Sequence, residues 1–296
     1  MADADSLTEI EPSPVEETPI EFKEGYFPPT AHSSRLGLSG SHTTLWYLSR
    51  IQKYSTYAFS AFGLAHITNT SIIPLITQSV PASEPYLLLT RPYYQGIPFE
   101  PILVIVPLWA HVLSSVAMRV YRRNLNAKRY GDSETKGAKN FFSARYWPAV
   151  SGISKLGFQF TILLAGHIYL QRAVPNDFPG GSSNINLSYV SHAFARHPAI
   201  SFAGFTALLT VGCFHMTWGW AKWLGFTPDQ VTTVGQERAL VRKRRWYTVN
   251  GLAAGLTALW MAGSFGVVAR AGAANGWLAK LYDEMFASIP LSRLWV

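Results

Sequence analysis

Five long stretches of this chain carry no Asp, Glu, Lys or Arg: residues 54–83, 101–118, 156–171, 197–221 and 246–269. A helix crossing a hydrocarbon core of about 30 Å needs roughly 17–25 residues. Four of the stretches are long enough alone. The third can extend back through Lys155, whose aliphatic stem snorkels, to the apolar residues near Trp147. The pattern predicts five transmembrane helices, near residues 52–74, 101–121, 149–171, 199–222 and 246–269, with Pro74 ending the first. Composition agrees. Only 14% of residues are charged, against about 25% in soluble domains. The chain also has 10 Trp, 14 Tyr and 17 Phe, unlike a disordered polymer. Its one Cys excludes a disulfide framework and a thiolate metal cluster. The expected fold class is all-α: a polytopic membrane helical bundle.

The charges that remain give an orientation. Residues 119–155 hold nine bases and two acids, and residues 222–245 hold six bases and two acids. Fifteen of the 25 bases therefore lie in two loops on one side. The positive-inside rule places that side in the cytosol. With five spans the N-terminus shares it, and the C-terminus lies opposite. Trp46, Trp147, Trp223 and Trp246 fall at the cytosolic ends, as an aromatic belt does. The formal charge of +8 is thus juxtamembrane, and no nucleic-acid partner is needed to explain it.

The first 44 residues differ from the rest. They hold eight acids, two bases and five prolines, with no apolar run. This is neither a signal peptide nor an Arg-rich, acid-poor presequence. It reads as a disordered acidic cytosolic tail. The remaining divisions follow: a first helix pair over 45–125, a basic loop over 126–145 and a second pair over 146–225. A basic loop and fifth helix then cover 226–270, and an amphipathic C-terminal helix 271–296. In that last helix Trp277, Leu278, Leu281, Tyr282, Met285, Phe286 and Ile289 share one face. The face suits either the membrane interface or the bundle itself.

Two stretches repeat. Ser49-Arg50-Ile51-Gln52-Lys53 leads into a helix carrying His66, and Ser151-Gly152-Ile153-Ser154-Lys155 into one carrying His167. The following helices carry His111 and His215, eight and seven residues before Arg119 and Lys222. The chain thus divides into two tandem helix-pair repeats plus a fifth helix. At a rise of about 1.5 Å per residue, His66 and His167 lie at one depth and His111 and His215 at another. Ionisable groups inside a membrane are costly and mark candidate sites. Two imidazoles on facing helices are what haem b needs for axial ligation. Iron could take His66 with His167 or His111 with His215, and interhelical hydrogen bonding is the plainer reading. Zinc is disfavoured, since Cys213 is the only thiolate or carboxylate candidate in these helices. No metal beyond haem iron is expected. His32, His42, His192 and His197 fall in tail or loop and read as solvated polar residues.

Other signals are weaker. Gly251-x-x-x-Gly255 favours close helix packing in the fifth span over a dimer seam. Arg242-Lys243-Arg244-Arg245 suits anionic lipid headgroups. Thr68, Asn69, Ser114 and Ser115 could line a lipid groove, although helix packing explains them equally well. The chain has no Walker loop, GxSxG elbow or HExxH, and no carboxylate within the spans, so no enzyme is expected. In the tail, Leu7 and Ile10 precede Pro12-Ser13-Pro14. Prolines pre-order an extended segment and reduce the entropy lost on docking, while the two aliphatic residues can fill pockets.

The duplicated unit, the four histidine helices and the fifth span resemble a fungal mitochondrial adapter family whose membrane domain occurs as a tandem pair. The resemblance covers roughly residues 45–270. That family's membrane region is in turn similar to the cytochrome b anchor subunits of succinate dehydrogenase and fumarate reductase. The resemblance implies an outer mitochondrial membrane protein with its C-terminus in the intermembrane space. It also implies that the tail recruits a chorein-type, bridge-like lipid-transfer protein through Pro12 and Pro14, with Leu7 and Ile10 upstream. The role implied is mitochondrial lipid homeostasis and organelle contact. The alternative is a membrane cytochrome binding haem b in a redox or haem-sensing role.

Overall fold

The computed structural model describes residues 43–130 and 146–290. The chain divides into two units, Met1–Thr44 and Leu45–Val296, and almost all that is described belongs to the second. Leu7, Ile10, Pro12, Pro14, His32 and His42 lie outside the described residues, as do most of the loop over 126–145 and residues 291–296. Among the described residues every regular element is helical. Five helices are long and apolar enough to cross a membrane: α1 (Thr44–Thr77), α3 (Pro101–Lys128), α4 (Gly152–Asn176), α6 (Pro198–Trp223) and α7 (Glu237–Val268). Three shorter helices, α2 (Val80–Thr90), α5 (Leu187–Arg196) and α8 (Gly276–Ala287), lie at the end opposite the basic loops, here called the far side. The chain is a multi-pass membrane protein.

The spans start and stop for local reasons. Trp147–Val150 is not helical, and α4 starts only after Ser151. The Ser151 Oγ accepts from the Ser154 N–H at 3.2 Å, satisfying one of the free donors of the first turn. The first span does not end at Pro74 as its sequence suggested. A π turn over Thr68–Ile72 precedes Pro74, and helix resumes over Ile73–Thr77. Proline removes an N–H and its ring collides with the carbonyl four residues back. The wider π turn accommodates both losses. The same arrangement recurs in α4, where a π turn over Tyr169–Ala173 precedes Pro175. Both prolines are fully buried.

At the basic ends, cationic heads sit over rings. The Arg50 guanidinium is 5.0 Å from the Trp46 centroid, Arg119 is 5.9 Å from Trp147, and Arg245 is 5.0 Å from Phe226. Lys53 lies 6.0 Å from Trp223 and Lys243 lies 5.9 Å from Tyr247. Amphipathic rings paired with snorkelling cations suit a membrane–water boundary.

Within the bundle the closest helix packing is α6 against α7 and α4 against α6. α1 meets α7 tightly only around its π turn. There Gly263 faces Ser71, and a Cβ on that glycine would lie 2.0 Å from the Ser71 carbonyl oxygen. The Ser71 hydroxyl donates to the Trp260 carbonyl at 2.6 Å. The close approach is therefore at Gly263, not at Gly251-x-x-x-Gly255. Those two glycines are exposed on α7, and an added Cβ would meet nothing within 4 Å. Small residues permit close approach but do not choose which face meets a neighbour.

The far side carries its own core. Val174, Ile185, Tyr189, Tyr282, Met285, Phe286 and Ile289 form one buried cluster, so α8 packs its apolar face onto α5 and the end of α4. Trp277, assigned to the same face, is 72% exposed. His192 is not a solvated loop residue but a buried one, at 1% exposure. The Ala274 N–H donates to its Nδ1 at 3.1 Å, so Nε2 carries the hydrogen and donates to Asp283 Oδ1 at 3.0 Å. Arg196 donates to the same carboxylate. Burial raises the Asp283 pKa, but these hydrogen bonds outweigh it and hold the group below the usual carboxylate range. His197 is also partly enclosed, its Nδ1 buried and its ring edge-on to Phe286. Sequence windows treat such residues as loop because they judge charge, not the short helix that the loop folds into.

Candidate functional site

The four span histidines come together as the depth argument required. His66 of α1 faces His167 of α4, with ring centroids 6.0 Å apart and planes at 71°. His111 of α3 faces His215 of α6, at 6.1 Å and 77°. Each pair takes one ring from each half of the sequence. The surroundings of the two pairs differ. Phe62 stacks on His66 at 5.6 Å and Phe205 meets His167 edge-on at 5.8 Å. Among the described residues neither of these imidazoles has a hydrogen-bond partner.

The other pair is anchored. His111 Nδ1 lies 3.1 Å from Thr56 Oγ1 and 3.4 Å from the Gln52 carbonyl. His215 Nδ1 lies 3.1 Å from the Ile153 carbonyl. Counted back from the deeper histidine of the same half, both carbonyls sit at the same offset: 52 to 66 and 153 to 167. A carbonyl can only accept, so the Ile153 contact places the His215 hydrogen on Nδ1 and leaves Nε2 bare. For His111 the carbonyl contact favours the same tautomer, with the Thr56 hydroxyl sharing Nδ1. Gly157 packs against the His215 ring, where a Cβ would lie 2.8 Å from Cε1.

A cleft opens beside this second pair, lined by residues of α1, α3, α4 and α6, among them Thr56, Ser115, Thr161, Met216 and Trp220. It holds about 840 Å³ of atom-free space, part of it open to the surroundings. Trp220 closes one wall: its indole N–H donates to Ser60 Oγ at 3.0 Å and its ring stacks on Tyr57 at 5.0 Å. Of the four residues considered for a lipid groove, only Ser115 lines the cleft. Thr68, Asn69 and Ser114 each donate to a carbonyl of their own helix. Cys213 is buried near His215 in sequence, and no group of three or more metal-type side chains occurs among the described residues.

These features define a class: a five-span helical membrane protein with two histidine pairs bridging its halves. Residues 162–273 match a family model described as MDM10-complementing protein 1, transmembrane domain. The match takes in most of α4 with His167, then α6 with His215, and α7. Comparison with curated proteins and with solved structures gives no significant match.

Proposed function

We propose that this protein is a mitochondrial outer-membrane adapter whose N-terminal tail recruits a chorein-type, bridge-like lipid-transfer protein. The observation that carries this reading is the match of residues 162–273 to the transmembrane domain of MDM10-complementing protein 1. It is supported by the acidic tail, which carries Pro12-Ser13-Pro14 behind Leu7 and Ile10. The bundle fixes the chain in the bilayer, with the basic loops and the tail in the cytosol and the C-terminus in the intermembrane space. Tethering then raises the local concentration of the captured partner at the membrane. Proline restricts the backbone of a free peptide and so lowers the entropy lost on docking, and Leu7 and Ile10 are the residues assigned to the partner's pockets. No catalysis is required of the bundle. The role that follows is support of mitochondrial lipid homeostasis and organelle contact.

The test uses the full-length chain in cells. Pro12→Ala with Pro14→Ala should abolish mitochondrial recruitment of the lipid-transfer protein while membrane insertion, read by resistance to carbonate extraction, stays unchanged. An N-terminal tag should be open to protease in intact mitochondria. Normal recruitment by the double variant, or a protected tag, overturns the reading.

A further inference from the structure

Both histidine pairs have the spacing of a metal bridge, but only one is built like a ligand pair. An imidazole nitrogen binds a first-row metal at about 2.0–2.1 Å. Two rings on opposite sides of one metal therefore have centroids about 6 Å apart, and both pairs meet that, at 6.0 and 6.1 Å. Ligating histidines almost always fix the other ring nitrogen against a carbonyl, carboxylate or water. His111 and His215 do this with Gln52 and Ile153 carbonyls, and their Nε2 atoms have no hydrogen-bond partner among the described residues. Among the described residues His66 and His167 have no such anchor. The cleft is also lined by His111 and His215 and not by the deeper pair. Gly157, with no side chain, lets the His215 ring pack directly against α4.

We propose that His111 and His215 are the axial ligands of an iron porphyrin of the haem b class, seated in the cleft between α1, α3, α4 and α6. The donor set fits that group: two facing imidazoles, each oriented through Nδ1, with no thiolate or carboxylate to favour zinc or calcium. An iron with both axial positions filled by the protein supplies one-electron chemistry rather than substrate binding. The chain's own residues do the rest. Gln52, Thr56 and Ile153 set the ring orientations, and apolar residues such as Leu108, Phe158 and Leu164 line the cleft.

The full-length chain is produced with a haem precursor in the medium, purified in detergent and examined by absorbance, with added hemin as a second loading route. The expected result is a Soret band and sharp reduced-state bands of a six-coordinate low-spin haem. These should be lost in His111→Ala and in His215→Ala but kept in His66→Ala and His167→Ala. Because a histidine deletion can also unfold a helix, His215→Gly is examined with added imidazole. Return of the bands shows that the ring, not the fold, was missing. A colourless wild-type protein that stays monodisperse and takes up no hemin overturns the proposal. So does colour that survives in both His111→Ala and His215→Ala and disappears only when His66 or His167 is changed.

Discussion

Gly263→Ala tests the tightest helix contact in the bundle. The added Cβ would sit 2.0 Å from the Ser71 carbonyl oxygen and 2.5 Å from its Oγ, against the 3.4 Å at which ordinary contact begins. Either α7 backs away from the π turn of α1 by about 1.4 Å or the Ser71 backbone shifts. Overpacking of this kind costs about 1–3 kcal/mol. Separation also breaks the hydrogen bond from Ser71 to the Trp260 carbonyl, which inside a membrane is worth about 0.6 kcal/mol and at most about 1.7. The better helix propensity of alanine returns about 1 kcal/mol. The net loss is about 2 kcal/mol, or a fall of about 4–8 °C in Tm at roughly 2–4 °C per kcal/mol for a chain of this size. Thermal unfolding in detergent, followed by helical circular dichroism, reads the shift. Gly251→Ala and Gly255→Ala are the controls, because they make the same change on the same helix with nothing within 4 Å. They should be neutral or slightly stabilising. Equal Tm values for the Gly263 and Gly255 variants would refute the assigned α1–α7 crossing.

Two further outcomes follow from the far side. Burial, reinforced by the charge of Glu84, pushes the Tyr282 phenol up to about 12, and burial raises Tyr189 as well. A raised phenol stabilises the cap fully below the unfolded value of about 10 and loses that contribution as pH climbs through 12. Proteolysis of α8 should therefore begin only in strong alkali; a cap already loosening between pH 7 and 9 contradicts the burial of these rings. Arg172 pairs with Glu100 at 2.5 Å, with 28% and 19% of the two side chains exposed. Arg172→Gln leaves the half-buried carboxylate with only the Gly96 N–H as donor and should cost about 1–3 kcal/mol, below the range for a fully buried pair. Arg172→Gln with Glu100→Gln should recover part of that in Tm; no recovery means that the pair is not coupled.

What sequence could and could not reveal divides by the kind of information needed. The five uncharged windows gave the spans because the cost of charge in lipid is set by each residue alone. The histidine pairs were legible for a similar reason: a fixed rise per residue turns position along each helix into depth. Rotation about each helix axis is not encoded that way. Gly251 and Gly255 therefore looked like packing glycines, while the contact lies two to three turns on at Gly263. Pro74 looked like a stop because proline breaks a regular α-helix, and the compensating π turn depends on the surrounding bundle. His192 looked solvated because its partners, Ala274 and Asp283, are 82 and 91 residues away. The choice between the two histidine pairs needed the Nδ1 contacts, which no spacing rule contains.

The division of the bundle bears on how the two proposals can coexist. The family match covers α4 from residue 162, α6 and α7, which include the best-packed helices of the protein. It holds only one ring of each histidine pair; His66 and His111 come from α1 and α3. A bis-imidazole site therefore exists only when the first helix pair has docked on the second half. The cleft lies where that docking relies on rings and single hydrogen bonds, such as Trp220 donating to Ser60 and stacking on Tyr57. A group bound between His111 and His215 would clamp α3 against α6 by mass action. Loading should then raise the Tm of the wild-type protein and leave that of His111→Ala unchanged, while Pro12→Ala with Pro14→Ala should affect neither. If loading stabilises the His111 variant as much as the wild type, the ligand sits elsewhere. If the tail variant loses the spectrum, the tail and the bundle do not act independently.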